Sequence, residues 1–345
     1  MKAGMYYNNN DVRVEELPIP EIGDHDILLK VMACGICGSD IMEWYRVKRA
    51  PLVLGHELSG EVVKVGKDVK KFKIGDRVFS THHVPCGSCR YCVTGHETVC
   101  SEFHTKNNFQ PGGFSEYLKI FGRSVDTGTF ILPDNITYEQ GTFIEPLGTA
   151  IRGLRTADLK SHDTLLVLGS GTAGILIIKL ACALEVPTII ATDINDFRLE
   201  LARRFGADHV IKANADLAGF VREVNGGRLA DKVIICNSSL ASSQQAFQCV
   251  DKSGTIVFFA VPKPNETLAV DFNSYWRDDI SIKTSYGAAP ADNIKAMGMI
   301  KDKDIRVDDM ITHRFSLTEI GKGFQTASGG SDSLKVIIEP SLNYF

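Results

Sequence analysis

The stretch Thr164-Leu-Leu-Val-Leu-Gly169-Ser-Gly171-Thr-Ala-Gly174 is an apolar run of strand length, followed by three spaced glycines and an apolar run of helix length. In such a turn the first glycine permits the tight bend, the second lets a pyrophosphate approach the backbone, and the third allows close helix–strand packing. The phosphates would meet the positive end of the helix. The stretch therefore predicts a dinucleotide-binding turn.

Asp193 ends the next predicted strand, Thr188–Asp193, nineteen residues after Gly174. A carboxylate at this place binds both ribose hydroxyls of NAD and repels the 2′-phosphate of NADP. The alternative is a helix-capping role, because Asn195 and Asp196 follow directly. We interpret Asp193 as the ribose ligand and predict NAD as the cofactor.

The middle of the chain alternates between apolar strands and helical stretches, with further strands predicted at 232–236, 255–259 and 280–284. Continuous apolar strands that alternate with helices indicate a parallel sheet covered by helices on both faces. The pattern predicts an α/β domain with a doubly wound parallel sheet over residues 148–284.

Residues 1–80 are β-rich instead, with β-branched runs bounded by glycine and repeated turns. These features indicate a small, bent sheet or barrel. After residue 284 the alternation stops, and the strands predicted at 310–315 and 334–338 are scattered. We therefore predict that residues 285–345 return to the first domain, which comprises residues 1–147.

The loop 86–100 carries four cysteines spaced two, two and seven residues apart. Four thiolates so close in sequence can bind one tetrahedral zinc ion without strain in the loop. The alternatives are disulfides or buried thiols, but adjacent Cys-x-x-Cys units are poor disulfide partners, and core cysteines do not cluster in this way. A four-thiolate site has no open position, so we predict a structural zinc bound by Cys86, Cys89, Cys92 and Cys100.

A second metal site is predicted from separated residues. Cys37 is followed by Ser39 and Asp40, His56 and Glu57 are adjacent, and Glu145 lies at the predicted domain junction. One thiolate, one imidazole and one or two carboxylates make a zinc site, and a catalytic zinc keeps one position open for water or substrate. Each residue alone is a weak signal, because single cysteines and histidines are more often structural. Together they predict a catalytic zinc.

The chain resembles the zinc-containing medium-chain alcohol dehydrogenases, and most of all their sorbitol, threonine and polyol-phosphate dehydrogenase branch. Gly55-His56-Glu57-x-x-Gly60 with Gly66 matches the zinc signature of the family, and Gly113-Phe-Ser-Glu-Tyr117 also lies in family order. The resemblance covers nearly the whole chain. It implies a catalytic domain built on a co-chaperonin-like barrel and interrupted by a Rossmann domain.

The resemblance also assigns roles at the catalytic zinc. Cys37 and His56 are implied as ligands together with Glu57 or Glu145, and which carboxylate binds directly stays open. Glu145 stands where the liver-type enzymes have cysteine, which favours the polyol branch. Ser39 matches the position that carries the substrate proton outward.

Further residues are assigned to the substrate pocket and the cofactor. The implied pocket residues are His82, His83 and Trp44. The implied cofactor-binding residues are Gly169, Gly171, Thr172, Ala173, Gly174, Asp193, Arg198 and Lys335, the last beside the cofactor phosphates.

The composition of the chain limits which binding partners and which cellular compartment we expect. A net charge of −4 gives no general attraction to nucleic acid or anionic membrane. The apolar run around 175–186 is too short to span a bilayer. Nine cysteines, an odd number with a metal-like cluster, fit a reducing compartment, so we expect a cytoplasmic protein. We expect the protein to form a homodimer or homotetramer. We also expect four buried thiols, those of Cys34, Cys182, Cys236 and Cys249.

The sequence thus predicts a zinc-dependent NAD(H) dehydrogenase that oxidises a polar secondary alcohol: a polyol, a sugar alcohol or its phosphate, or a 3-hydroxy amino acid. Three alternatives are weaker. A zinc-dependent NADP(H) alcohol or aldehyde reductase conflicts with Asp193. A zinc-free quinone or enoyl reductase conflicts with Cys37, His56 and Glu57 as well. A non-enzymatic zinc module for nucleic acid conflicts with the acidic balance of the chain.

Overall fold

The computed structural model describes residues 1–106 and 108–341. The chain divides into two compact units: Met1–Gly148 together with the chain from Gly287 onward, and the continuous segment Thr149–Tyr286. The boundaries 147/148 and 284/285 drawn from the sequence remain predictions of where each domain begins and ends. None of the helices in the described ranges is both long and apolar enough to cross a membrane.

The strands of the first unit come from both ends of the chain. They are β1 (Lys2–Asn8), β2 (Asp11–Glu16), β3 (Ile27–Gly35), β4 (Leu52–Val53), β5 (Glu57–Val65), β6 (Arg77–Ser80), β7 (Phe109–Gln110), β8 (Tyr117–Ile120), β9 (Thr129–Ile131), β16 (Ile311–Ser316) and β17 (Lys335–Glu339). The strands of the second unit are β10 (Thr164–Leu168), β11 (Thr188–Asp193), β12 (His209–Lys212), β13 (Ala230–Ile235), β14 (Val250–Phe258) and β15 (Ser281–Thr284).

The helices are α1 (Glu43–Arg46), α2 (Arg90–Val93), α3 (Ser101–Thr105), α4 (Gly122–Thr127), α5 (Tyr138–Gly141), α6 (Ile144–Ala157), α7 (Thr172–Ala183), α8 (Asp196–Arg204), α9 (Leu217–Val224), α10 (Leu240–Cys249), α11 (Pro290–Lys301) and α12 (Ile320–Gly329).

The first unit is organised around β3. This strand pairs antiparallel with β5 over nearly its whole length, and it also pairs with β8 and β17. The order in the large sheet is β16-β17-β3-β5-β6-β9, while β2, β1 and β4 form a separate small sheet. Side chains of β3 and β5 such as Leu29, Val31, Leu58 and Val62 are fully buried in one hydrophobic core. The predicted bent β-structure is confirmed.

The second unit is the predicted parallel sheet. Its order is β12-β11-β10-β13-β14-β15, and every pairing is parallel. Counted along the unit this order is 3-2-1-4-5-6, the doubly wound arrangement. All five residues of β10 are buried, as expected for a strand covered on both faces. The sheet places the carboxyl ends of β10 and β11 side by side, where such folds bind their ligands.

Candidate metal centres and dinucleotide turn

The four cysteines of the loop 86–100 converge on one point. Their sulfur atoms all lie within 4.8 Å of one another. The Sγ atom of Cys92 is 3.8 Å from that of Cys86 and 3.5 Å from that of Cys89. A tetrahedral zinc ion with bonds of about 2.3 Å would hold its sulfur ligands about 3.8 Å apart. The donor set therefore fits a structural zinc ion, and the cysteines are free thiols rather than disulfides.

Backbone N–H groups donate hydrogen bonds to two of these sulfur atoms. The N–H of Cys89 donates to Cys86 Sγ over 3.2 Å, and the N–H of Cys86 donates to Cys100 Sγ over 3.4 Å. Hydrogen bonds from the backbone N–H groups of Ser88 and Cys89 lower the pKa of Cys86 to about 6. Amide donors of this kind stabilise the thiolate form that a metal requires.

We expect Cys92→Ser to lower the melting temperature by about 10 °C and to remove one zinc ion per chain. A structural zinc site contributes its binding free energy to folding, and each kcal/mol corresponds to about 2–4 °C in a protein of 150–250 residues. Calorimetry with metal analysis measures both effects. Cys182→Ser is the matched control, because Cys182 is exposed. Equal melting temperatures for the two variants would contradict a structural role for the cluster.

A second group of possible ligands is formed by Cys37, His56 and Glu57, whose ligand atoms also lie within 4.8 Å of one another. The sheet register explains the convergence. Gly35, the last residue of β3, pairs with Glu57, the first residue of β5, so Cys37 and His56 leave the two strands at the same end. One thiolate, one imidazole and one carboxylate are the donor set of a catalytic zinc ion, so the residues fit this metal.

Asp40 lies behind His56 and is fully buried. Its carboxylate is 3.4 Å from His56 Nδ1 and accepts a hydrogen bond of 3.1 Å from the N–H of Cys37. Burial alone would raise the pKa of Asp40. His56, and then Arg46, lower that pKa by more than burial raises it, so the carboxylate stays ionised. A carboxylate at one ring nitrogen orients the imidazole and leaves the other nitrogen for a metal.

Glu57 has a second neighbour that the sequence did not predict. The ammonium group of Lys335 forms an ion pair with Glu57 Oε2, and both side chains are buried. A Cβ atom at Gly35 would lie 2.6 Å from both partners, so only glycine fits beside the pair. The placement of Lys335 beside the cofactor phosphates stays a prediction.

The ion pair changes the charge balance beside Cys37 and His56. A thiolate and two carboxylates would carry more negative charge than one zinc ion neutralises. Lys335 neutralises Glu57, and Arg46 lies 3.4 Å from Asp40. Each of these two carboxylates therefore has a cationic neighbour.

Glu145 belongs to a third group, with His82 and His83, whose ligand atoms lie within 4.8 Å of one another. The ring centroid of His82 is 4.6 Å from that of His56 and 3.6 Å from that of His83, so this group adjoins the Cys37 site. The structure thus brings Glu57 together with Cys37 and His56, and it brings Glu145 together with the two pocket histidines.

Both pocket histidines are neutral at physiological pH. Burial, followed by the charge of His83, lowers the pKa of His82 well below its ordinary value. Burial, followed by the charge of His56, lowers the pKa of His83 to about 3. The Nδ1 atom of His82 is buried and has no hydrogen-bond partner among the described residues. A buried polar atom of this kind calls for a ligand that forms hydrogen bonds.

The remaining predicted residues are placed as follows. The hydroxyl of Ser39 lies 3.4 Å from Cys37 Sγ. Trp44 lies in α1, and its ring packs against that of Tyr45 with centroids 5.8 Å apart. Its place in the substrate pocket stays a prediction. Cys34 and Cys249 are buried and Cys236 is half-buried, but Cys182 is exposed, and its prediction as a core thiol was wrong.

The glycine turn of the second unit has the form that the sequence predicted. Gly169 has a φ of +102°, which favours glycine, and α7 begins at Thr172 directly after Gly171. A Cβ atom at Gly174 would collide with the carbonyl oxygen of Gly169. Around Gly171 a Cβ atom would meet nothing closer than Arg198 Nη1 at 4.0 Å, which leaves room for a phosphate above the helix end.

Asp193 is bound to this turn. Its Oδ2 accepts a hydrogen bond of 2.9 Å from the N–H of Ser170, and its Oδ1 accepts one of 3.0 Å from the N–H of Asn195. The side chain that caps α8 is Asn195, which accepts from the N–H of Phe197. The capping alternative for Asp193 is therefore wrong. Each oxygen of a carboxylate has a further lone pair, so Asp193 can still accept hydroxyl hydrogen bonds.

The sequence is similar to known families and to known proteins. The family described as "Alcohol dehydrogenase GroES-like domain" matches residues 23–125, and the one described as "Zinc-binding dehydrogenase" matches residues 173–302. A sorbitol dehydrogenase of Bacillus subtilis (strain 168) is 30% identical over 99% of this chain and 98% of its own length. An L-threonine 3-dehydrogenase of Escherichia fergusonii is 31% identical over 94% of each chain.

Solved structures that are similar to this chain are also dehydrogenases. The alcohol dehydrogenase TADH from Thermus sp. ATN1 is 26% identical, with a TM-score of 0.88 over 98% of this chain and 99% of that one. A zinc-binding dehydrogenase from Sinorhizobium meliloti 1021, solved with NADP, is 27% identical, with a TM-score of 0.86 over 98% and 99%. The chain therefore belongs to the zinc-containing medium-chain alcohol dehydrogenase family.

Proposed function

We propose that the protein is a zinc-dependent NAD(H) dehydrogenase that oxidises a polar secondary alcohol to the ketone. The observation that carries the proposal is the convergence of Cys37, His56 and Glu57 beside two neutral pocket histidines. The three ligands fit a catalytic zinc site. The histidines supply hydrogen-bonding groups directly next to it.

When bound, the zinc ion supplies Lewis acidity and the nicotinamide accepts the hydride. The chain's own residues do the rest. Cys37 and His56 hold the metal side of the pocket, with Glu57 or Glu145 as the further ligand, and Asp40 orients the His56 ring. Ser39 takes the proton of the substrate hydroxyl. In the second unit, Asp193 holds the adenosine ribose, while the turn Gly169–Gly174 and Arg198 hold the phosphates.

The substrate class follows from the pocket. Two neutral imidazoles donate and accept hydrogen bonds without adding charge, which suits neighbouring hydroxyl groups better than a long apolar chain. We therefore propose a polyol, a sugar alcohol or its phosphate, or a 3-hydroxy amino acid. The similar sorbitol and threonine dehydrogenases act on two of these classes. A homodimer or homotetramer in the cytoplasm completes the proposal.

A screen of sugar alcohols, their phosphates, 3-hydroxy amino acids and small secondary alcohols, followed as NADH absorbance, tests the proposal. We expect activity with at least one polyhydroxylated or amino-bearing alcohol, and its loss after removal of zinc by a chelator. Long-chain primary alcohols are the comparison class. Activity confined to them, or activity that survives complete loss of zinc, would contradict the proposal.

We expect NAD to be preferred over NADP by at least tenfold in kcat/KM, about 1.4 kcal/mol, because Asp193 would meet the 2′-phosphate with a like charge. Asp193→Ser should reduce this preference mainly by weakening NAD binding. Asp196→Ser is the matched control, because Asp196 is exposed and pairs with Lys212 at 2.8 Å. Equal efficiency with both cofactors in the unmodified protein would favour the NADP(H) reductase alternative.

A further inference from the structure

Arg46, the last residue of α1, reaches from that helix to the serine beside the first metal ligand. Its Nε donates to the carbonyl oxygen of Ser39 over 2.8 Å, and its Nη2 donates to Ser39 Oγ over 2.9 Å. Nη2 also lies 3.4 Å from Asp40 Oδ1. The guanidinium group stacks on the ring of Tyr45, 4.8 Å from its centroid. Only 14% of the side chain is exposed, so these contacts form in a partly dry environment.

The chemistry of the two groups fixes the direction of the hydrogen bond. A guanidinium group has five donors and no acceptor, whereas a hydroxyl has one donor and two acceptor lone pairs. Ser39 Oγ must therefore accept from Arg46, and its own proton must point elsewhere. The acceptor available to it is Cys37 Sγ at 3.4 Å. Among the described residues, one lone pair of Oγ is left without a partner.

The same guanidinium group reaches the other side of the metal site through Asp40, which lies 3.4 Å from both Arg46 Nη2 and His56 Nδ1. Arg46 thus contacts the residue that hydrogen-bonds the thiolate ligand and the residue that orients the imidazole ligand. A planar fork is suited to such a double contact, and a lysine ammonium group does not reproduce it.

We propose that Arg46 is a positioning residue that sets the orientation of the Ser39 hydroxyl; this rests on the proposed function. With Arg46 bound to one lone pair, the other lone pair of Oγ accepts the proton of the substrate hydroxyl. In that step the substrate O–H bond breaks and a new O–H bond forms at Ser39, while the proton that Ser39 held leaves its hydrogen bond with Cys37 Sγ and passes to water. Arg46 does not touch the substrate in this scheme and acts only through Ser39.

The first test needs no substrate. Cobalt(II) is exchanged into the Cys37 site while zinc stays in the four-cysteine site, and the thiolate-to-cobalt charge-transfer band is recorded. In Arg46→Met the Ser39 hydroxyl is released, and Cys37 loses a hydrogen bond. We expect the band to move to lower energy, because a thiolate with fewer hydrogen bonds gives up an electron more readily.

Arg49→Met is the matched control. Arg49 is exposed, lies three residues away and stands 5.6 Å from the centroid of the same tyrosine ring, but it has no contact with Ser39 in the described structure. Its band should stay unchanged. Combining Arg46→Met with Ser39→Ala should add no shift to that of Ser39→Ala alone. An unshifted band in Arg46→Met, or failure of that variant to bind cobalt, would overturn the positioning role.

The second test is a double-mutant cycle on turnover with the best substrate of the screen. Ser39→Ala and Arg46→Met should each lower kcat by about 30–100-fold, near the lower end of what proton transfer contributes, with KM changed less than threefold. The double variant should be no slower than Ser39→Ala, because one residue acts through the other. Arg46→Lys should recover only part of the loss.

Independent losses that multiply in the double variant would overturn the proposal. If the unmodified protein oxidises none of the alcohols, the proposed function fails, and the cobalt spectra still decide the role of Arg46. The two failures are therefore distinguishable.

Discussion

His56→Ala is expected to yield a folded protein that binds NADH and turns over alcohols at least about 10³-fold more slowly. Lewis-acid catalysis by a metal ion supplies several kcal/mol, and each 1.36 kcal/mol of lost transition-state stabilisation is a factor of ten in rate. His56 adjoins both Cys37 and Asp40, so its removal leaves the site one ligand short. Single-turnover kinetics and NADH fluorescence titration separate loss of chemistry from loss of cofactor binding.

The matched control is His162→Ala, because the His162 side chain is 82% exposed and lies in the other unit. That variant should keep its turnover and both zinc ions. His56→Ala should retain the zinc of the four-cysteine loop and lose the second one. Turnover within tenfold of the unmodified protein would show that His56 is not a metal ligand.

Lys335→Met is expected to lower the free energy of unfolding by about 3–5 kcal/mol, which is the cost of leaving one member of a buried ion pair without its partner. Glu57 would remain buried with no counter-ion. Denaturant unfolding at neutral pH measures the loss. It should be larger in chelator-treated protein than in zinc-loaded protein, because a zinc ion beside Glu57 also neutralises its charge.

Two further variants serve as a control and as a rescue for Lys335→Met. Lys322→Met removes an exposed lysine that pairs with Glu319, and an exposed pair contributes at most about 1 kcal/mol. Lys335→Met combined with Glu57→Gln should recover most of the lost stability, because no buried charge is left unpaired. If Lys335→Met were no more destabilised than Lys322→Met, the ion pair would not be a stabilising part of this fold.

The elements that sequence reasoning predicted well are those with a strong local pattern. The strand predicted from residue 164 and the strand Thr188–Asp193 end within one residue of β10 and β11, because both are apolar runs closed by glycine or aspartate. β5 begins at Glu57, four residues before the β-branched run that starts after Glu61 would suggest. Its first residues read as a polar turn with a glycine, but pairing with β3 extends the strand through them.

β1 and β2 show the opposite case. They contain tyrosines, asparagines and acidic residues, and their pairing with each other and with β4 is what makes them strands. The alternation of Val12 and Val14 with polar residues in β2 is a short local signal for a strand, and β1 has no comparable pattern. Sheet context decides such strands, since β propensity depends mostly on cross-strand neighbours.

The convergence of Cys37, His56 and Glu57 was predictable because all three lie in short recognisable motifs. Their partners were not. Lys335 is 278 residues away from Glu57, and Arg46 is a single arginine on a short helix. One signal was available for Lys335: a lysine directly before an apolar run, here Val336–Ile338, needs a counter-ion if it is buried with that run. Nothing local distinguishes Arg46 from the exposed Arg49.

The pairing of β17 with β3 has a consequence for biosynthesis. A ribosome completes β3, β5 and Glu57 early, but residues 335–339 emerge only after the whole of Thr149–Tyr286 has been made. Until then the nascent chain carries an open edge at Cys34 and Gly35 and a carboxylate without its ammonium partner. Exposed edges of this kind recruit other strands, so we expect the nascent chain to be prone to mispairing at this stage of translation.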